Sequence, residues 1–206
     1  MARVSQEHLD ARRRQILQGA ARCFARDGFH GTSMQDVLKE VGLSAGAVYR
    51  YFTGKDDLIA AIAGEAIGGV RHAFGEAART TPPPTPDVLI GRVTRALFTG
   101  GPFGLDPQAF AGLIVQVWSE ALRSERLSHT IGEAYGGLRA AWGELVEAYR
   151  ANGMLAAELP ADPLARTLIA TAQGFIVQLA LFGDMAPGVL EDGLRGLMSM
   201  DVQRAS

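Results

Sequence analysis

The stretch GLSAGAVYRYFTGKDDL, residues 42–58, decides how this chain is read. It follows directly on SMQDVLKEV, residues 33–41, and the two segments have to be interpreted together. Ser33 stands three residues before Asp36, the spacing at which a hydroxyl and a carboxylate cap a helix start reciprocally. Met34, Val37, Leu38 and Val41 then share one face of a helix of barely two turns. Gly42 can take the left-handed conformation that closes it, Leu43 turns inward, and Ser44 is placed to cap a second helix over AGAVYRYF, residues 45–52. Helix, tight glycine turn and helix make a helix-turn-helix.

That geometry lays its second helix in the DNA major groove while the first crosses the phosphate backbone. The small tip Ala45-Gly46-Ala47 lets the backbone approach the groove closely. Beyond it, Tyr49, Tyr51 and Lys55 offer phenol and ammonium donors to phosphate, and the helix start at Ser44 adds backbone N–H groups to the same task. The chain has only two lysines, Lys39 and Lys55, and both fall in this region. The competing reading makes Tyr49 and Tyr51 half-buried packing residues and Lys55 a solvated charge.

Outward from this motif the pattern is helical throughout. A helix from about Gln6 to Asp27 carries Ile16, Leu17, Ala20 and Phe24 on one face, with Gly28 as its stop. A long helix from about Lys55 to Arg79 carries Leu58, Ile59, Ile62, Ala66, Val70 and Phe74, and TPPPTP, residues 81–86, ends it as a stiff connector. Thr85-Pro86, Asp106-Pro107, Asp162-Pro163 and Ala186-Pro187 mark further helix starts. Helices are expected near residues 86–99, 107–123, 127–152, 163–183 and 187–202. The expectation is an all-α fold: a three-helix helix-turn-helix head over residues 1–54 and a helical body over residues 55–206.

Composition narrows the function classes. Residues 1–55 hold nine Lys and Arg against five Asp and Glu, and residues 56–206 hold eleven against seventeen, so a basic head sits on an acidic body, as a polyanion-binding head requires. A single cysteine, Cys23, allows no internal disulfide and reads as a small buried apolar residue, and the four histidines show no metal-ligand spacing. No cofactor is expected. The N-terminal segment is polar, and the longest apolar tract, residues 168–182, is interrupted by Gln173 and Gln178, so a cytoplasmic protein without a membrane partner is expected. There is no glycine-rich phosphate loop and no nucleophile elbow, and the adjacent pair Ser128-His129 makes no triad, so the chain is not read as an enzyme.

From Ile16 to Leu58 the chain closely resembles the DNA-binding region of the tetracycline-repressor (TetR) family of bacterial transcription regulators. The likeness covers about a fifth of the chain and rests on an ordered set. The set comprises Phe24 before its glycine turn, Gly42-Leu43-Ser44, Tyr49-x-Tyr51-Phe52, and the lysine-acid-x-leucine start at Lys55. The resemblance implies that Ser33 caps the first motif helix and touches phosphate, and that Gln35 can reach a base edge. It places Ala45, Gly46 and Ala47 on the recognition tip and Tyr49, Tyr51 and Lys55 at phosphate-contacting positions, with Arg50 between the tyrosines. Two features depart from the family. Gly54 replaces the usual serine or asparagine cap, and the tip is nearly all small residues, which leaves specificity to Gln35, methyl contacts, Arg50 and DNA shape. Arg3 and Arg12 to Arg14 can reach phosphate or the minor groove, or can form a solvated helix start.

In the body, Phe110, Ile114 and Trp118 line one side of one helix and Tyr135 and Trp142 one side of the next, a pattern that by itself reads as core. The resemblance implies a mostly apolar small-molecule site instead, with Phe98, Phe110, Ile114 and Trp118, then Tyr135, Trp142, Phe175 and Gln178, as its candidates. It also implies a homodimer through the last two helices. Leu190, Leu194 and Leu197 lie on one and Leu164, Leu168, Thr171 and Gly174 on the other, Gly174 permitting close approach. The expected function is a homodimeric repressor on a palindromic double-stranded operator, released by a small apolar or amphipathic ligand. The alternative is a DNA-binding regulator with no effector, its aromatics forming solid core.

Overall fold

The computed structural model describes residues 6–99, 102–156, 158–186 and 188–200. Their secondary structure is helical throughout: α1 Gln6–Asp27, α2 Met34–Val41, α3 Ala45–Tyr49, α4 Lys55–Ala78, α5 Pro86–Thr99, α6 Pro107–Ala121, α7 Glu125–Ala151, α8 Ala161–Phe182 and α9 Val189–Met198. A short 3-10 turn at Pro102–Gly104 precedes α6. The expected start at Pro187 and the residue Arg3 lie outside the described residues.

Local chemistry sets the head. Gly28, at φ 77°, and Gly42, at φ 67°, take the left-handed turns that end α1 and α2. The Asp36 amide donates to the Ser33 hydroxyl at 3.2 Å and the Ser33 amide to the Asp36 carboxylate at 2.8 Å, a complete capping box. Two details correct the sequence reading. The Ser44 hydroxyl stands at the start of α3 without making a cap hydrogen bond, and α3 stops at Tyr49 rather than Phe52. It stops because Phe52 turns into the core at 5% exposure, the Tyr51 amide closing a tight turn on the Val48 carbonyl at 2.9 Å.

Head and body share one hydrophobic cluster: Ile16, Phe24 and Val37 of the head are continuous with Leu58 of α4, Phe110 and Leu113 of α6 and Phe175 of α8. Cys23 is buried there, as expected. A second cluster joins Phe74 of α4 to Trp142, Leu145 and Tyr149 of α7 and Leu194 of α9. The proline connector is pinned by the Tyr149 hydroxyl, which donates to the Pro84 carbonyl at 2.6 Å.

α9 lies along α5, held by ion pairs from Arg195 to Asp87 at 3.0 Å and from Arg95 to Glu191 at 2.6 Å. The approach needs Gly91, because a Cβ there would meet the Glu191 Cβ at 2.7 Å. Gly91→Ala is therefore expected to push α9 away and cost about 1–3 kcal/mol, as overpacking does. An unchanged denaturant midpoint would refute that close contact.

Candidate DNA interface and ligand cavity

α2 and α3 present Ser33, Gln35, Ser44, Ala45, Gly46, Tyr49 and Arg50 to solvent on the head, while Ala47 and Tyr51 are half-buried. Val48, between them, is fully buried and anchors the short helix. The start of α3 thus exposes Ala45 and Gly46, a tip with almost no side chain. Of the arginine cluster, Arg13 is committed elsewhere: it pairs with Glu65 of α4 and stacks over the Phe52 ring at 5.6 Å.

Lys55 is not a free solvated charge. Its ammonium donates to the Phe29 carbonyl at 2.8 Å and lies over the Phe29 ring at 4.8 Å, tying the start of α4 to the end of α1. One N–H is spent there and two remain. Lys55→Ala is expected to lower the magnitude of the salt slope of DNA binding by about 1. It is also expected to destabilise the head by about 1–2 kcal/mol through the lost charged hydrogen bond. An unchanged slope with reduced stability would leave Lys55 only its structural role.

The start of α4 is also tied to the body. Asp57 accepts the Thr53 amide at 2.9 Å and the Thr53 hydroxyl, and pairs with Arg126 of α7. The bonds from Thr53, then the Arg126 guanidinium, hold the Asp57 carboxyl below its ordinary range. A depressed folded value means the contact contributes fully above the unfolded carboxylate pKa and is lost only as pH falls through the folded one. At neutral pH the tie is complete.

Between α4, α5, α6, α7 and α8 the body encloses a cavity of about 120 Å³. Seven of the eight expected residues line it: Phe98, Phe110, Ile114 and Trp118, with Tyr135, Trp142 and Phe175 opposite. The rings of Phe98 and Phe110 lie 5.7 Å apart and those of Phe98 and Phe175 6.0 Å. Gln178 does not join them; it is exposed. The polar residue of α8 that lines the cavity is Gln173, whose amide donates to the Tyr135 hydroxyl at 3.0 Å. At 3.6 residues per turn, five residues rotate a side chain by roughly 140°, which takes Gln178 off the inner face. The stripe Ile169, Gln173, Ile176 at i, i+4, i+7 was the available signal. Sequence reasoning also missed α4 as a wall: Ile67, Val70 and Phe74 face the cavity.

The expected dimer residues divide. Leu194 is buried and Leu190 half-buried, both packed within the protomer, and the half-buried Leu168 lines the cavity. Leu164 and Thr171 are half-buried; Gly174 has open space where a side chain would stand. Leu197 is exposed, with Val177, Leu181, Val189 and Met200 exposed on α8 and around α9. Among the described helices, α8 alone is long and apolar enough to cross a membrane, and its apolar residues divide between the cavity wall and these exposed positions.

A helix-turn-helix head joined through α4 to a helical body is the architecture of a DNA-binding transcriptional regulator. The chain belongs to the tetR family of bacterial regulatory proteins: residues 16–62 match that family's N-terminal region, and residues 92–197 match the C-terminal region of BetI-type transcriptional repressors. It is similar to the HTH-type transcriptional repressor Rv1474c of Mycobacterium tuberculosis, with 46% identity over 65 residues, 32% of this chain and 35% of that one. The repressor AcnR of Corynebacterium diphtheriae is 42% identical over 62 residues, 30% of this chain and 33% of that one. The chain thus spans about a third of the length of the curated relatives it matches. Salmonella enterica GusR superposes with a TM-score of 0.74 at 25% identity, covering 97% of this chain and 100% of that one. The fold is also that of Bacillus subtilis FadR in complex with stearoyl-CoA, with a TM-score of 0.69 at 18% identity over 89% of this chain and 96% of that one.

Proposed function

We propose that this protein is a homodimeric transcriptional repressor in the cytoplasm. Its two heads bind a near-palindromic operator, and a small apolar or amphipathic molecule in the body cavity releases them. No cofactor is required and no reaction is catalysed. The observation that carries the reading is the double use of α4. Its first turn is bonded to the head through Lys55 and Phe29, and its middle, from Ile62 to Phe74, is cavity wall. A molecule that displaces that wall displaces the head.

The exposed apolar residues Val177 and Leu181 of α8, with Val189, Leu197 and Met200 in and after α9, are the surface for the second copy, and Gly174 of α8 has room for a close approach. Two-fold symmetry then sets half-sites about one helical turn, roughly 34 Å, apart. To reverse a 1:99 balance between DNA-competent and released states, the ligand must favour the released state by about 5.5 kcal/mol. A regulator with no effector would need a solid body, and the cavity favours the ligand-controlled reading over it.

Selection from random duplex DNA tests the reader. Wild-type protein is expected to enrich a near-palindrome, and Gln35→Ala to enrich one with altered bases in each half-site while binding phosphate as before. Enrichment of no sequence by the wild type would refute sequence-specific binding, and identical preferences for both proteins would remove Gln35 from the readout.

A further inference from the structure

Taking the cavity as the effector site, we propose that its ligand is an uncharged, mainly apolar molecule of about one ring in size that docks a single acceptor oxygen on the Tyr135 hydroxyl. The inference rests on the proposed function above and narrows its ligand to one chemical class.

None of the residues lining the cavity carries a charge. An ion placed there would give up its hydration without a partner, a cost of several kcal/mol. The aromatic walls do not reverse this for a cation: the Phe98, Phe110 and Phe175 rings pack on one another, and no carboxylate lines the cavity. Size sets a second limit, since an engineered apolar cavity of about 150 Å³ holds one benzene.

The polar atoms on the wall are few. The Thr94 hydroxyl is spent on the Ile90 carbonyl at 2.7 Å. Tyr135 is different. Its oxygen accepts from the Gln173 amide at 3.0 Å. Because that oxygen accepts from Gln173 and the phenol's own proton has no acceptor among the described residues, the proton is left to donate on the cavity side, where Tyr135 forms part of the lining. Turning the Gln173 amide over would let Tyr135 donate to it and would expose amide N–H groups instead, so a donor faces the ligand in either arrangement. Burial raises the Tyr135 pKa above that of an ordinary tyrosine, which keeps the phenol protonated throughout the physiological range. The donor selects a ligand with an acceptor, because a ligand that buried it unpaired would leave it without a hydrogen bond, and the uncharged lining restricts that acceptor to a neutral one.

Four cyclohexyl probes of closely similar size separate the classes: methoxycyclohexane, ethylcyclohexane, cyclohexanecarboxylate and (cyclohexylmethyl)ammonium. Both tryptophans of the chain, Trp118 and Trp142, line the cavity, so intrinsic fluorescence of the full-length protein reports occupancy, with calorimetry as the second readout. Both neutral probes are expected to bind wild-type protein and both ions to fail at concentrations tenfold higher. Tyr135→Phe is expected to weaken the ether about three- to tenfold and leave the hydrocarbon within about twofold, the loss of one hydrogen bond. Either ion binding as tightly as the ether would overturn the assignment while leaving a ligand-controlled regulator intact. Equal weakening of ether and hydrocarbon by Tyr135→Phe would overturn the role of the hydroxyl. Failure of all four probes on wild-type protein would overturn both this inference and the use of the cavity as an effector site.

Discussion

Leu181→Asp is expected to yield a folded monomer whose operator affinity is weakened by about a hundredfold or more. Leu181 stands on the last turn of α8, 67% exposed, among the residues proposed to meet a second copy, so a carboxylate there costs the protomer little. In a dimer the same carboxylate would be buried against apolar surface without a partner, which is among the most expensive substitutions an interface can suffer. The DNA effect follows from linkage. Two heads held at the half-site spacing bind with an advantage of about 10²–10⁴ over one, and a monomer forfeits it. Sedimentation velocity and operator titration on the same sample check both parts. A variant that remains dimeric, or a monomer that binds the operator as tightly as the wild type, would refute the assignment of this face.

Trp142→Ala is expected to cost about 3–5 kcal/mol, the range for deleting a large buried aromatic. Trp142 is 1% exposed and its ring lies 4.6 Å from that of Phe74, so it joins α7 to the part of α4 that walls the cavity. For a chain of this length such a loss lowers the melting temperature by about 10 °C. The variant also enlarges the cavity, and added indole is expected to restore part of the lost stability by mass action. A loss below about 1 kcal/mol would mean that this contact does not hold α4 in place.

The head was legible in the sequence because its signals are local. Ser33 and Asp36, three residues apart, form a cap whatever lies elsewhere in the fold, and Gly28 and Gly42 end helices through their own backbone freedom. The end of α3 was not legible, because burial of Phe52 sets it, and that burial depends on the packing of α1 and α4 around it. In the body, helical spacing showed which aromatics face inward without showing whether the space between them is filled. The choice between Gln173 and Gln178 turned on rotation about α8, where a few residues change the face. The leucines of α9 illustrate a further limit. Periodicity marks an apolar side, but the pairing of Arg195 with Asp87 and the clearance at Gly91 decide that Leu190 and Leu194 face α5 while Leu197 faces out. Those contacts join residues about a hundred positions apart, and no local pattern carries them.

The most direct test of the central claim is nuclease protection of the DNA flanking the protein's own gene by purified full-length protein, across a salt series. The account predicts two protected half-sites related by a near-palindrome, centred roughly 34 Å apart. Their affinity is expected to fall steeply as salt rises, because the contacts proposed for Ser33, Tyr49, Tyr51 and Lys55 are phosphate contacts. Absence of protection at low salt, both on that DNA and on the sequences enriched by random selection, would contradict it.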